Sequence, residues 1–486
     1  MKRLKIILFL NFLFPFALLA QKQMSFTDAF EIALKNSPNI RQARFNLERS
    51  QELLNAQNAS LKSRFNLVVE PITYSRDRQF NDFFSTWNTS EIKSSSGLFT
   101  IAQPIILTDG TLALRNHFSW RDAYSEFQGM RSKTYSNNLY LSYDQPIFTY
   151  NRTRLALEDV KLDLENARLN YQIQELVLEQ RVAQFFYNAI QNRMSLQVAE
   201  EEYINRQASF EIIKNKVDAG LVAQEQLFQA ELDLTSSRSQ VQNSKVALAN
   251  SLDELKRLLG IPLSEEIDVV ANVSLDSVDV DMQKAIDHGL QNRLELRQRD
   301  IDMNIAKANL VRSAATNEFK GNISLVYGII GNDEKIANIY EVPTQNQNIR
   351  VSLEIPIWDW GEQTSRIKAA EASIKGSKLS LAEEKKDIII GIRQAFRNFE
   401  NQAIQIDLAD QNVKIAQLTY DINLERYKNG DLTSMDLNLF QNQLSSKKIG
   451  QVNAQINYKL ALLDLKIESL WDFEKNKAVL IKNKLD

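Results

Sequence analysis
The feature that most constrains this chain is a duplication. Residues 216–227, KVDAGLVAQEQL, and residues 426–437, RYKNGDLTSMDL, carry glycines at the same place, Gly220 and Gly430, 210 positions apart. At the same offset LYLSYDQPIF (139–148) lies over IRVSLEIPIW (349–358), with Pro146 on Pro356. Nearer the N-terminus the offset is 256. There Ala29, Leu34, Asn36 and Arg41 match Ala285, Leu290, Asn292 and Arg297. Self-similarity of this kind means two copies of one supersecondary unit. The first copy is longer by 46 residues, placed between Glu70 and Tyr140.

Both copies read in one order. A helix (26–61, then 282–316) precedes a strand, a loop and a second strand ending at proline. A long helix follows (153–219, then 362–429), glycine turns the chain, and a shorter helix returns (222–259, then 433–470). At 1.5 Å per residue the longer arm would reach roughly 100 Å, more than a globular core requires. Only 14 glycines and 8 prolines interrupt the 486 residues. Leu157, Leu164, Tyr171, Leu178 and Phe185 recur every seven residues, and Ile367, Ile374, Leu381, Ile388 and Ala395 repeat that phase. The returning arms do the same through Leu227, Leu234, Val241, Leu248 and Leu255, and through Leu437, Leu444, Tyr458 and Leu465. A strict seven-residue repeat implies left-handed supercoiling against neighbours. The helices alone fit a coiled-coil rod equally well.

The strands separate the two readings. Ile349, Val351, Leu353, Ile355 and Ile357 alternate with Arg350, Ser352 and Glu354, and Leu139, Leu141 and Tyr143 with Tyr140, Ser142 and Asp144. One apolar and one polar face suits a tilted barrel strand between lipid and water, and also a half-buried soluble sheet. Four strands could not close a barrel alone and would leave open edges, unless several copies share it.

The first twenty residues, MKRLKIILFLNFLFPFALLA, join a basic start to an apolar core and a small residue, Ala20. They read as a secretory signal peptide cleaved after Ala20, the alternative being an uncleaved anchor. Beyond them no run of 18 apolar residues appears. The chain has no cysteine, which excludes disulfides, thiolate metal sites and cysteine nucleophiles. A net charge of −3 without a basic aromatic stripe argues against nucleic acid. Only two histidines occur, His117 and His288, neither with a ligand partner at metal spacing. No nucleophile elbow, phosphate loop or zinc-protease pair is present, so no enzyme, cofactor or metal site is expected.

In its duplicated order, its QPIFTYNR and IPIWDWGE strand-to-helix junctions and its two glycine tips, the mature chain resembles the TolC-type outer-membrane efflux factors. That resemblance implies a mainly α fold with a membrane β-barrel portion. A homotrimer would close a 12-stranded barrel, with extra strands if the insertion joins it, on a 12-helix periplasmic α-barrel. Residues 1–20 would be the signal peptide and 21–265 the first repeat, with the insertion around 76–135. Residues 266–471 would be the second repeat and 472–486 a tail lying in a mixed belt with 258–270, or disordered. The segment 97–120 reads as a hairpin turning at Asp109-Gly110, extending the β-region.

The resemblance also assigns roles. Ala219, Gly220, Leu221, Asn429, Gly430 and Asp431 would form tips that dock a periplasmic adaptor, itself coupled to an inner-membrane pump of RND or ABC type. Tyr427 and Asp436 match closed-gate positions, while Leu439 and Gln226 replace the family's acids there. Asp436 has a second reading as an acid stabilised by the helix dipole. Pro146 and Pro356 would mark the strand-to-helix junctions, and outer-membrane lipid would surround the barrel. The implied function is a passive efflux duct; a type I protein-secretion duct shares that design, and a periplasmic coiled-coil scaffold is the competing class.

Overall fold
The structure, a computed structural model, describes residues 22–270 and 278–479. The signal-peptide reading falls on residues outside that range, as does the end of the tail.

In chain order the elements are β1 (Lys22–Met24), α1 (Phe26–Asn36), α2 (Pro38–Ser60), β2 (Arg64–Asn81), β3 (Thr86–Ile105), β4 (Gly110–Ser125), β5 (Met130–Ile147), α3 (Arg152–Asp218) and α4 (Gln224–Leu259). The second copy continues with β6 (Ile267–Val269), α5 (Met282–Asn292), α6 (Leu294–Ala314), β7 (Lys320–Asp333), β8 (Thr344–Glu354), α7 (Glu362–Asn429) and α8 (Ser434–Ser469). A short β9 (Trp471–Asp472) and β10 (Lys477–Ala478) end the described chain. Among the described residues no helix is long and apolar enough to cross a membrane.

Each leading helix, expected to be continuous, is broken. Ser37 has φ −55° and ψ 129°, the extended conformation that the following Pro38 imposes. Arg293, its counterpart at the 256 offset, adopts φ −62° and ψ 125° with no proline behind it. The break is thus a property of the repeated unit. Helix α1 begins in a capping box, with Ser25 Oγ accepting from the Asp28 amide and the Asp28 carboxylate accepting from the Ser25 amide.

The chain divides into two compact units. One comprises residues 43–171 and 293–387 and holds a six-stranded antiparallel sheet ordered β2-β3-β4-β5-β7-β8. The family resemblance implied four strands per chain; this chain has six in its sheet. The 46 extra residues lengthen β2 and β5 and insert the hairpin β3–β4 between them. Its near turn is tied to the start of α3: the Asp109 carboxylate accepts from the Thr153 amide at 2.9 Å, and Asn151 Nδ2 donates to the Ile106 carbonyl at 2.7 Å. Asp109 itself, at φ +61°, makes that turn.

Register sorts the two faces of the sheet. Phe65, Ile101, Leu114, Leu141 and Tyr327 form one cross-strand row and are apolar throughout. On the opposite face Glu70, Ser96, Ser119, Ser136 and Asn332 form a row that is polar throughout. Strand β2 looks irregular in sequence because a bulge between Glu70 and Thr73, at Pro71, switches which parity faces out. Pro146 lies inside β5, paired with Asn322, one residue before its end, whereas Pro356 follows the end of β8. Strands β2 and β8 are the two edges, and β8 is exposed along its whole length.

The other unit, which among the described residues comprises 22–42, 172–270, 278–292 and 388–479, holds the two hairpin ends. Strand β1 pairs in parallel with β6, and β9 with β10 in an antiparallel turn. Phe399, Ile406, Tyr458, Ala461, Leu462 and Leu465 pack α7 against α8. On α4 the buried residues Ala230, Ser237, Ser244 and Ser251 recur every seven positions, so the supercoiled face of this arm is lined by small side chains.

Candidate functional site: the two hairpin tips
Each tip is closed by the same backbone device. At the first, the Gly220 amide donates to the Val217 carbonyl at 2.9 Å and the Leu221 amide to the Lys216 carbonyl at 2.8 Å. At the second, the Gly430 amide donates to Tyr427 at 3.2 Å and the Asp431 amide to Arg426 at 2.9 Å. This pair of bonds is the Schellman motif, which needs a left-handed residue after the cap. Gly220 at φ +70° and Gly430 at φ +92° supply it. A Cβ built on either glycine meets nothing within 4 Å, so the requirement is purely conformational. Ala219, Gly220, Leu221, Asn429, Gly430 and Asp431 are all exposed.

The gate candidates fall into different surroundings. Tyr427 is only 4% exposed and packs with Ile213, Ala230, Tyr420, Leu437 and Leu444. Burial pushes its phenol pKa up, its hydroxyl has no hydrogen-bond partner among the described residues, and the Lys216 ammonium lies 5.1 Å from its ring centre. Asp436 is exposed and accepts from the Thr433 hydroxyl at 2.7 Å, while Thr433 Oγ1 accepts from the Asp436 amide at 3.2 Å. Thr433 thus caps α8, and the Asp436 carboxylate holds the capping hydroxyl in place. Gln226 is exposed in the first turn of α4.

A polar cluster between the hairpins was missed in the sequence. Arg206 on α3 is 8% exposed; its Nη2 donates to Asn442 Oδ1 on α8 at 2.8 Å and to Glu202 Oε1 at 3.3 Å. Its Nη1 lies 3.9 Å from Asp233 Oδ2 on α4, which accepts from Asn438 Nδ2 on α8 at 2.5 Å. A cavity of about 10 Å³ beside Arg206, Asp233 and Asn438 has room for one water. One signal was present: Arg206 falls in the seven-residue register of Leu178, Phe185, Asn192 and Ala199, which puts a charge on the packed face of the helix. Neither histidine belongs here; His117 pairs with Asn138 on the polar face of β4, and His288 lies 4.3 Å from Trp471.

Strands with one apolar and one polar face, followed by a helical hairpin with a glycine tip, are thus written twice in this chain. Residues 29–261 and 285–467 match the outer membrane efflux protein family, the two blocks falling on the two copies. The chain belongs to that family. TolC of Escherichia coli strain K12 is 22% identical over 375 residues, which span 73% of this chain and 73% of TolC. The cation efflux system protein CusC of the same strain is 23% identical over 269 residues, 54% of this chain and 57% of CusC. The crystal structure of the Campylobacter jejuni CmeC outer membrane channel superposes with a TM-score of 0.66 at 17% identity, covering 93% of this chain and 87% of that one. This outer membrane efflux protein is therefore a channel of the Gram-negative outer membrane with a periplasmic extension.

Proposed function
We propose that three copies close one barrel and one helical tunnel, giving a passive exit duct from a periplasmic adaptor and its inner-membrane pump to the outside. The observation that carries this reading is the sheet: one apolar face, one polar face, and two open edges, β2 and β8. Open edges expose unpaired backbone groups, which hydrocarbon does not tolerate. Pairing β8 of one copy with β2 of the next closes both edges along the 11 residues of β8, from the helix-proximal end of the 18-residue β2 outward. Three copies of six strands give 18, wider than the 12 of the family resemblance and wide enough for an aqueous lumen. Helix α7 supports the same assembly, since Ile404, Leu408, Ile415, Leu418 and Ile422 are exposed along it in the single chain.

In this reading the glycine tips receive the adaptor, and opening separates hairpins that the Arg206 cluster and the Tyr427 core hold together. An adaptor opens the duct by binding the parted state more tightly. The absence of cysteine makes the test clean. Paired cysteines placed along β2 and β8, in protein extracted from separated outer membranes, should yield a covalent trimer under oxidation, with a matching native mass. Monomers or dimers throughout that panel, or recovery in the soluble periplasmic fraction, would refute the shared barrel.

A further inference from the structure
Beyond its apolar band the sheet carries a charged zone on the same face. Starting from the Leu141 row and moving eight residues along β5 towards the turns, the row reads Tyr74, Lys93, Asp122 and Lys133. The next row reads Arg76, Glu91, Tyr124 and Arg131, and Arg78 follows opposite Thr89. At 3.4 Å per residue and a tilt near 45°, those eight residues rise about 20 Å, close to the height of an outer-membrane apolar band. Trp120 and Tyr135, paired with each other, stand in the row between, where aromatic side chains meet headgroups.

The charges in this zone do not cancel at the surface. Asp122 is 6% exposed and lies under Arg131, which holds both its oxygens at 2.6 and 2.8 Å while remaining itself exposed. Glu91 is paired with Arg76 at 3.3 Å. Glu126, on the turn beyond, folds back onto the Thr89 amide at 2.6 Å. Lys93 and Lys133 flank the covered Asp122 and are both exposed. The inserted hairpin β3–β4 supplies the centre of the zone, Lys93 and Asp122.

The geometry points to a binding surface for phosphorylated lipid headgroups of the surrounding outer leaflet. Exposed cations bordering an apolar band take the two halves of one ligand: acyl chains against Phe99 and Leu139, on the same face and within one leaflet of the charged zone, and phosphates against Lys93 and Lys133. The junctions with the α-helices sit at the opposite ends of the strands, at Arg64, Ile147, Lys320 and Glu354, so the zone faces the outside if those helices are periplasmic. The inserted hairpin then anchors the channel in its own leaflet. This inference rests on the lipid-facing reading of the apolar face given above.

The test uses the full chain, delipidated and reconstituted into phosphatidylcholine nanodiscs carrying either diphosphorylated lipid A or its dephosphorylated form. Each lysine near an anionic surface contributes about fivefold in affinity, so Lys93→Gln with Lys133→Gln should lose about 30-fold in retained diphosphorylated lipid. The same pair of changes at Lys386 and Lys428, on α7, should leave retention within about twofold. Equal retention by the strand double variant, or equal capture of the dephosphorylated lipid, overturns the inference. Displacement of the lipid by micromolar inorganic pyrophosphate also overturns it, by showing a free-anion site. A chain that fails to insert into phosphatidylcholine overturns the membrane reading itself; insertion without headgroup preference overturns only the anchor.

Discussion

Replacing Arg206 by methionine keeps most of the side-chain volume and removes the charge that ties α3 to α8. The bond lost between the hairpins is the 2.8 Å contact from Arg206 to Asn442. Hydrogen bonds to charged groups contribute about 1.5–3 kcal/mol. Glu202 and Asp233 are 21% and 24% exposed, so water partly rehydrates them, and the cost belongs near the lower half of that range, about 2 kcal/mol. If opening parts these hairpins, the closed state alone loses this energy, and the open-to-closed ratio should rise about 30-fold. Single-channel recording of the reconstituted protein reads that ratio directly. Lys428→Gln, which removes only the exposed pair with Glu425, should change it by about twofold or less. A double-mutant cycle of Arg206→Met with Asn442→Ala should show coupling of about 1 kcal/mol. An open probability within twofold of wild type, in an Arg206→Met channel that assembles normally, would refute the reasoning: the α3–α8 contact would then be spectator packing.

Three further outcomes are expected. Tyr427→Phe removes a buried hydroxyl without a partner among the described residues, so thermal unfolding should shift upward or not at all, by up to about 1 kcal/mol; a gain in channel opening would instead show that the hydroxyl is a gate link. Gly430→Ala should cost about 1–2 kcal/mol through backbone strain alone, whereas Gly260→Ala, whose Cβ would stand 2.4 Å from the Asn36 carbonyl oxygen, should cost more, as read by chemical denaturation of the two variants. Burial holds the Asp464 carboxyl above its usual pKa, against the lowering effect of the Gln180 hydrogen bond. The folded chain therefore binds that proton more tightly than the unfolded one, and stability falls as pH rises from the ordinary carboxylate pKa through the raised one. Asp464→Asn should accordingly be more stable than wild type at neutral pH and equal to it near pH 3, measured by unfolding across that range.

Much of this protein is local in origin and was legible in the residues. The tips are set by Gly220 and Gly430 because a left-handed cap is a property of one residue and its two hydrogen bonds. The long helices follow from uninterrupted seven-residue periodicity, and their observed ends at Asp218 and Asn429 lie within a residue of the positions read from sequence. Reading 26–61 and 282–316 as single helices misses both breaks: Pro38 is a local signal for the first, while nothing local marks its twin at Arg293. Period two marks which residues share a strand face, and it fails at Pro71 only because a bulge changes the phase. The place of the inserted hairpin in the sheet, the covering of Asp122 by Arg131, and the meeting of Arg206 with Asn442, 236 residues away, were decided by the tertiary structure. Periodicity carries the direction in which a side chain points, whereas strand register and helix pairing depend on which distant partner arrives, and that is a property of the whole folded chain.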